Sequence, residues 1–560
     1  MQKLAINDRL QRSAAGQPSI LSKGKTMMNG SRTLRQALLS ITLTSCLAGN
    51  GLAAPTISAY YLTGPGAEKG TPDYYASLEN LKELSEKIEH DQTNFNSLVL
   101  SFVQPSLTKY TSNDLTCTGL FGYTCSRDKG TTKTVSTENR DPKADFETLK
   151  RIVADLRAHG VETSIAVGGW NFSCYPKIYD ATAGKSNSCG PEDEVYDTFP
   201  NPSTEIPRPQ FESGIIGSDA DSAYKNIVAL ANDLGVTGID VDYEEFWHAD
   251  INAKSWTLTP DKITPPAPTN DAMKAEMLDD KALMKLGIGA DVFGDAMKLD
   301  PDSDKLPRAM PWTVEKFAAI LKSLDNAITS INRSLKLSVA APANGGIPNM
   351  SANWDTVAPN SGIYGGVWRG GNLYGLIYNT ALLHKAEIDK LSQVGIMSYD
   401  LGELDCERTR PGTHIPCDLV GQANYYYAQS AVWLKNGNGL PADSKFADLN
   451  AKVSGSRTGA RASIQPRKLL ITPPITVGFE VGQPASGNLP LTRDDLTKII
   501  DETIKHSRSG IIMWDLYKNV RFDRDQWKPN WASPKDVLKE ACRKMGLSGQ
   551  YYNCEANIPR

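Results

Sequence analysis

Residues 236–247 read VTGIDVDYEEFW, and the alternation within them decides the fold. Ile239, Val241 and Tyr243 alternate with Asp240, Asp242 and Glu244, a period of two that marks a β-strand whose side chains point to opposite faces. One face is then apolar and the other carries a row of three carboxylates. Strand rise sets neighbouring members of that row roughly 6.6 Å apart at Cα, near enough for each acid to perturb its neighbour's protonation. A solvated edge strand could carry such a row, but Gly238, Ile239 and Val241 flank it and a helix-like segment precedes it. Buried carboxylates without partners cost too much free energy to persist as filler, so the row points to chemistry.

Outward from this stretch, short β-rich runs alternate with amphipathic helical stretches. The pattern predicts strands at 56–62, 97–103, 162–168, 238–246, 336–341, 394–400, 468–472 and 510–516. It predicts helices at 78–90, 146–159, 223–234, 314–331, 381–391, 425–434, 496–506 and 534–545, with apolar residues three and four apart. Eight strands each followed by a helix predict an α/β fold, a (β/α)8 TIM barrel, with the acidic strand fourth. The longest segments follow strand ends: the third strand leads into an excursion to about residue 219, the fourth into a loop insertion at 248–311, the sixth into 401–465. In a barrel such loops gather at the C-terminal face, where active sites are built, and Glu244 becomes the carboxylate nearest that mouth. No repeat, Ser/Thr-Pro linker or appended small module interrupts the pattern, which predicts one catalytic domain over 55–560 behind an N-terminal extension and secretion signal at 1–54.

Composition excludes several classes. With 40% hydrophobic residues in 560, the chain can bury a large core, and its net charge of -4 gives no sign of a nucleic-acid partner. The six histidines are scattered without a helical i, i+4 pair, which argues against zinc. Asp300, Asp302 and Asp304 resemble the start of a calcium loop, but its sixth position is Lys305 and its twelfth Pro311, so no metal and no cofactor are expected.

Arg32 and Arg35 precede an apolar run at 37–49 with Ala53 and Ala54 behind it, the layout of a secretory signal for which Met27 or Met28 is a more natural start than Met1. Leu43-Thr44-Ser45-Cys46 also fits the site at which bacterial lipoproteins are cut and acylated, so a lipid anchor at Cys46 competes with free secretion. Secretion is preferred, because few residues separate Cys46 from the first strand. Beyond Cys46, the eight remaining cysteines fall in close sequential pairs, Cys117 with Cys125, Cys174 with Cys189, Cys406 with Cys417 and Cys542 with Cys554. Eight cysteines allow 105 connectivities; local pairing is the simplest, since it staples each short loop at its own base, and it suits an oxidising destination. No later segment is apolar over the ~20 residues a membrane span needs.

The acidic row resembles the DGxDxDxE signature of glycoside hydrolase family 18, the chitinase family, with Gly238-Ile239-Asp240-Val241-Asp242-Tyr243-Glu244 matching its GxDxDxE part and Thr237 in place of the first Asp. Ala166-Val167-Gly168-Gly169 resembles that family's SxGG with Ala in the Ser position, Met397-Ser398-Tyr399-Asp400 resembles its MxYD, and Trp514 its barrel-floor tryptophan. Tyr60 and Phe102 fall where such enzymes line the pocket. The resemblance covers nearly the whole chain after the signal.

The resemblance implies retaining, substrate-assisted hydrolysis of β-1,4-linked N-acetylglucosamine polymers. Glu244 is implied as general acid and base, Asp242 as holder of the 2-acetamido N–H, Asp240 as partner of Asp242, and Tyr399 as donor to the acetamido oxygen. Trp514, Met397, Asp400, Tyr60, Phe102, Gly168, Gly169 and Trp170 are implied to bind sugar. A deeper like charge predicts a proton shared between Asp240 and Asp242, helping to hold Glu244 protonated. Simpler roles compete: Trp514 and Met397 as core, Gly168-Gly169 as a turn, and Trp170, Trp247 and Trp368 as loop anchors rather than stacking platforms. Glu245 points away from Glu244's face. Fewer than forty residues separate the seventh and eighth strands, which predicts an open, endo-acting groove. The alternatives are an endo-β-N-acetylglucosaminidase acting on N-glycan cores, with the same acids, and a non-catalytic chitin-binding lectin, against which the presence of Glu244 argues. Chitin or a chitooligosaccharide is the partner implied; the sequence is silent on oligomeric state or a larger assembly.

Overall fold

Side chains that alternate between a helix-covered face and a barrel interior are what the eight core strands have in common. The structure, a computed structural model, describes residues 55–128, 131–134, 140–169, 172, 175–176, 188–189, 199–203, 217–244, 257–259, 262–264, 311–342, 385–397, 399, 473–484, 490–506, 510–521 and 527–559. The chain divides into Met1–Leu52, which lies outside them, and Ala53–Arg560. In the second unit, strands β1 (Thr56–Leu62), β2 (Ser97–Val103), β3 (Glu162–Gly168), β4 (Gly238–Asp242), β5 (Lys336–Pro342), β6 (Gln393–Met397), β7 (Ile475–Glu480) and β8 (Gly510–Trp514) close into a parallel barrel in which each pairs with its sequence neighbours and β8 with β1. This is the (β/α)8 TIM barrel that the alternation predicts.

Helices α1 (Leu78–Asp91), α2 (Pro142–Ala158), α3 (Gly217–Leu234), α4 (Pro311–Ile331), α5 (Lys385–Asp389), α6 (Arg493–His506) and α7 (Pro534–Met545) follow strands one to five, seven and eight; the helix expected at 425–434 lies outside the described residues. Helix α1 shows why these segments are helical. Leu78, Leu81, Leu84 and Ile88 recur at helical spacing and are all buried, and Ser77 caps the first turn by accepting from the Asn80 amide at 3.1 Å. Helix α7 is bounded at both ends by its sequence: Ser533 and Asp536 form a capping box around Pro534, and Gly546 takes the left-handed conformation that stops it.

Two strands depart from expectation. The seventh stave is Ile475–Glu480, not 468–472: Val477 and Phe479 bury outward while Thr476, Gly478 and Glu480 form the inward set, and this alternation supplies the pairing to β6 and β8. Strand β4 ends at Asp242 rather than 246, because the Asp242 carbonyl turns to accept from the Gly169 amide at 2.9 Å. Glu244 therefore stands two residues beyond the strand. Strand β8 likewise ends at Trp514, before the predicted 516, and β6 runs to Met397, with residues 398 and 400 of its predicted span outside the described residues. The disulfides Cys117–Cys125 and Cys542–Cys554 pair as expected; the pairs involving Cys174, Cys406 and Cys417 lie outside the described residues. The second disulfide staples the C-terminal segment, which packs under the barrel through Asn553 N to Thr93 O at 2.8 Å and Asn94 Nδ2 to Ile558 O at 3.1 Å. Among the described residues no helix is long and apolar enough to cross a membrane, and no cluster of His, Cys, Asp or Glu could hold a metal ion.

Candidate active site

Strand β4 delivers its acids to the interior through simple geometry. Ile239 and Val241 are fully buried against the helices, so Asp240 and Asp242, two residues apart, must point the other way, and each is about 5% exposed or less. Asp240 is satisfied on both oxygens. Ser338 Oγ, on the adjacent β5, donates to Oδ1 at 2.5 Å, and Tyr60 Oη reaches across from β1 to donate to Oδ2 at 2.5 Å. On the other flank its register partner is Ala166 of β3, which offers no polar atom.

Asp242 is differently placed. It hydrogen-bonds Glu244, its Oδ1 is buried without a partner, and among the described residues no cation pairs with it. Burial, then the charges of Glu244 and Asp240, push its carboxyl well above the usual range. Burial also raises Asp240, but the hydroxyls of Ser338 and Tyr60 work against that rise. Tyr60 in turn is driven well above its ordinary value by burial and by both aspartates, so it keeps its proton and donates. The proton expected between Asp240 and Asp242 is better placed one step nearer the mouth, between Asp242 and Glu244: Asp240 accepts two hydroxyl donors, while the Asp242–Glu244 hydrogen bond needs a proton on one of its members.

Across the barrel from β4, Trp514 ends β8. Its ring stacks on Phe102 with centroids 5.6 Å apart and meets Tyr60 edge-on at 5.7 Å, forming a partly exposed aromatic group continuous with Val99, Ala166 and Ile512. Tyr399, just past β6, is near enough to Tyr60 to act on it electrostatically. Met397 ends β6 and is half-buried.

The Gly168-Gly169 turn follows from close approach. Both residues have positive φ, and a Cβ on Gly168 would lie 2.3 Å from the Asp242 carbonyl oxygen, while one on Gly169 would lie 2.7 Å from the Phe102 ring. The pair thus sets the end of β3 directly against the end of β4. Thr237, in place of the first acid of the signature, donates from its amide to Thr163 O at 2.7 Å and ties the base of β4 to β3.

Of the predicted residues, Asp240 and Tyr60 lie within β4 and β1, and Asp242, Glu244, Phe102, Gly168, Gly169, Met397, Tyr399 and Trp514 lie at strand ends or just beyond them. Asp400 and Trp170 fall outside the described residues, as do Glu245, Trp247 and Trp368. Sequence reasoning passed over Ser338. It also passed over a buried charge cluster beside Trp514, in which Lys518 pairs with Glu480 and donates to Gln483 O at 2.7 Å, while Arg521 pairs with Asp515. A lone serine on a strand gives no signal; the inward polar position at Glu480 becomes visible once β7 is placed correctly.

No family model matches the sequence, and no curated protein does. Solved structures with a similar chain course include a GH18 chitinase from Pseudoalteromonas aurantia, at 11% identity over 83% of this chain and 95% of that one with a TM-score of 0.34. The catalytic domain of a hyperthermophilic chitinase from Pyrococcus furiosus has 12% identity, coverage of 89% and 99%, and a TM-score of 0.36. A family GH18 chitinase from Chromobacterium violaceum has 10% identity, coverage of 88% and 83%, and a TM-score of 0.38.

Proposed function

We propose that this chain is an exported, retaining chitinase whose single catalytic domain spans 55–560, with 248–311 as a loop inserted after β4. The observation that carries the reading is the hydrogen bond between Asp242 and Glu244 at the end of the acidic row. One proton serves that pair. When it lies on Glu244 the acid is ready and Asp242 is the anion; Glu244 then protonates the glycosidic oxygen as the bond from the anomeric carbon breaks. The substrate's own acetamido oxygen bonds that carbon, giving an oxazolinium ion whose charge Asp242 balances while it holds the acetamido N–H. Tyr399 donates to the acetamido oxygen. Water, deprotonated by Glu244, attacks the anomeric carbon, restores the acetamido group and returns the proton to the pair.

Trp514, backed by Phe102 and Tyr60, provides the apolar floor for the sugar at the cleavage point, with Met397, Asp400, Gly168, Gly169 and Trp170 assigned to the surrounding sugar contacts. The short connection between β7 and β8 favours an open groove and cleavage within chains. The deciding experiment follows chitin hexamer hydrolysis by proton NMR, beside a high-mannose glycoprotein. Initial release of the β-anomer from internal bonds is expected. Initial α-anomer would overturn the mechanism, and cleavage of the glycoprotein alone would overturn the substrate.

A further inference from the structure

We propose that Lys518 is a positioning residue for Trp514: its ammonium bridges Glu480 and the Gln483 carbonyl, and so fixes the turn after β7 whose Val481 amide holds the backbone of the aromatic floor. The inference deepens the chitinase reading and rests on it for the place of Trp514 beneath the sugar. Its geometric basis is a closed set of ties around the end of β8. Trp514 is the last residue of that strand, half-buried, and is the register partner of Glu480. Its carbonyl accepts from Val481 N at 2.9 Å. Lys518 pairs with Glu480 on one side of Val481 and donates to Gln483 O at 2.7 Å on the other, while its own amide donates to Asp515 O at 3.3 Å. These bonds run from Trp514 through the turn after β7 to Lys518 and back to Asp515, so a shift of either turn moves the tryptophan.

The neighbouring bonds act elsewhere. Arg521 pairs with Asp515, and Asp515 Oδ1 accepts from Tyr517 N at 3.0 Å, both within the turn after β8. Toward β1, Leu516 N donates to Tyr60 O at 2.9 Å, and Tyr60 and Phe102 meet the indole ring from that flank. Lys518 supplies the tie in the other direction, toward β7. The turn it spans is packed as well by Trp527, whose ring would stand 2.3 Å from a Cβ on Gly482, a residue of positive φ. Both members of the pair are nearly excluded from water, with side-chain exposures of 5% for Lys518 and 1% for Glu480. A pair so deeply buried contributes little net stability over apolar residues of the same volume. What it adds is geometry, one arrangement of the two turns in place of several.

The test uses the full chain labelled with 5-fluorotryptophan, in which the fluorine signal of Trp514 is assigned among the ten tryptophans by its loss in Trp514→Phe. Lys518→Met with Glu480→Leu replaces the pair by apolar side chains and should leave the barrel folded. In that double variant the Trp514 signal should shift and broaden, and calorimetry should show chitotetraose bound about tenfold more weakly, the size of one good aromatic contact. Lys518→Arg, which can donate to both acceptors, should keep the parent's signal and affinity. An unchanged Trp514 signal and affinity in the double variant overturn the proposal, since the pair then serves stability alone. A Lys518→Arg variant as impaired as the double variant overturns it too. If the double variant does not fold, Glu480→Gln removes the countercharge of Lys518 with little change of shape, and an unmoved Trp514 signal there overturns the tie. If the parent does not bind chitotetraose, the chitinase reading fails while the fluorine signal still decides the role of Lys518.

Discussion

Replacing Asp242 by Asn should make the protein more stable and nearly inactive, with a stability gain that grows as pH rises. Asp242 sits two residues from Asp240 on β4, is buried, leaves Oδ1 without a partner and has no cation beside it among the described residues. Strand rise puts the two acids roughly 6.6 Å apart, and two like charges at that separation repel by about 2.5 kcal/mol at an effective dielectric constant of about 20. Asparagine keeps the shape and removes the repulsion, but one amide atom stays incompletely paired, so the net gain is about 2 kcal/mol where both aspartates would ionise. The sign with pH follows from the raised carboxyl of Asp242. A group whose folded value lies above its unfolded value, about 3.9, contributes stability fully below the latter and loses it as pH climbs through the former. The parent therefore weakens with rising pH more than Asp242→Asn does, since the variant keeps only the raised carboxyl of Asp240. Urea unfolding at pH 4 and pH 9 should show the variant's midpoint ahead of the parent's by several tenths molar at pH 9 and by much less at pH 4. A midpoint equal to or below the parent's at pH 9, or a gain of equal size at both pH values, would refute the reasoning.

Glu244→Gln should lower kcat on chitin oligomers by about 10²–10⁴-fold, the usual weight of a general acid, while oligomer affinity measured by calorimetry changes little; near-normal turnover would remove Glu244 from its role. Gly168→Ala combines a left-handed backbone with a Cβ 2.3 Å from the Asp242 carbonyl oxygen, so chemical denaturation should show a loss of about 2–5 kcal/mol, and a neutral effect would mean that the ends of β3 and β4 are not in close contact. Lys518→Met strands the buried Glu480 and should cost about 3–5 kcal/mol, whereas Lys518→Met with Glu480→Leu should recover most of it; equal losses in single and double variants would show that the ion pair is not the source.

What the sequence made legible was whatever depends on near neighbours. The alternation of Ile239, Val241 and Tyr243 with the acids placed both aspartates inside the barrel, because a two-residue period leaves no other choice once one face is buried. Strand β4's end was misjudged because it is set by Gly169, a residue of another stave whose amide captures the Asp242 carbonyl. The seventh stave was misplaced for a related reason: KLLIT is the more apolar run, while ITVGFE carries a buried Glu480 whose cation lies 38 residues further on. Distance along the chain also hid the clamp on Asp240, whose donors are 98 and 180 residues away. The acid was readable and its protonation partner was not, since a serine on a strand has no local signature.

Opposed walls of this barrel handle buried carboxylates in contrary ways, and on the proposed reading the contrast leaves the acids of β4 available for proton transfer. Beside β8, Asp515 and Glu480 are each matched with a cation, Arg521 and Lys518, which fixes their charge and anchors the chain that follows Trp514. Opposite them, among the described residues, Asp240 accepts from two neutral hydroxyls and Asp242 is hydrogen-bonded to Glu244, with no cation beside either. A cation there would hold Asp242 ionised, as a guanidinium or ammonium within a few ångströms does to any carboxylate, and would draw the proton off the pair it must serve. Neutral donors act more weakly, so they can bias Asp240 toward the anion without discharging Asp242. The aromatic group of Tyr60, Phe102 and Trp514 completes the arrangement, since it fills the interior between the two walls with groups that bring no competing charge. On the chitinase reading proposed above, a fixed charge on one wall and a mobile proton on the other is the division of labour that acid catalysis on a neutral sugar polymer requires.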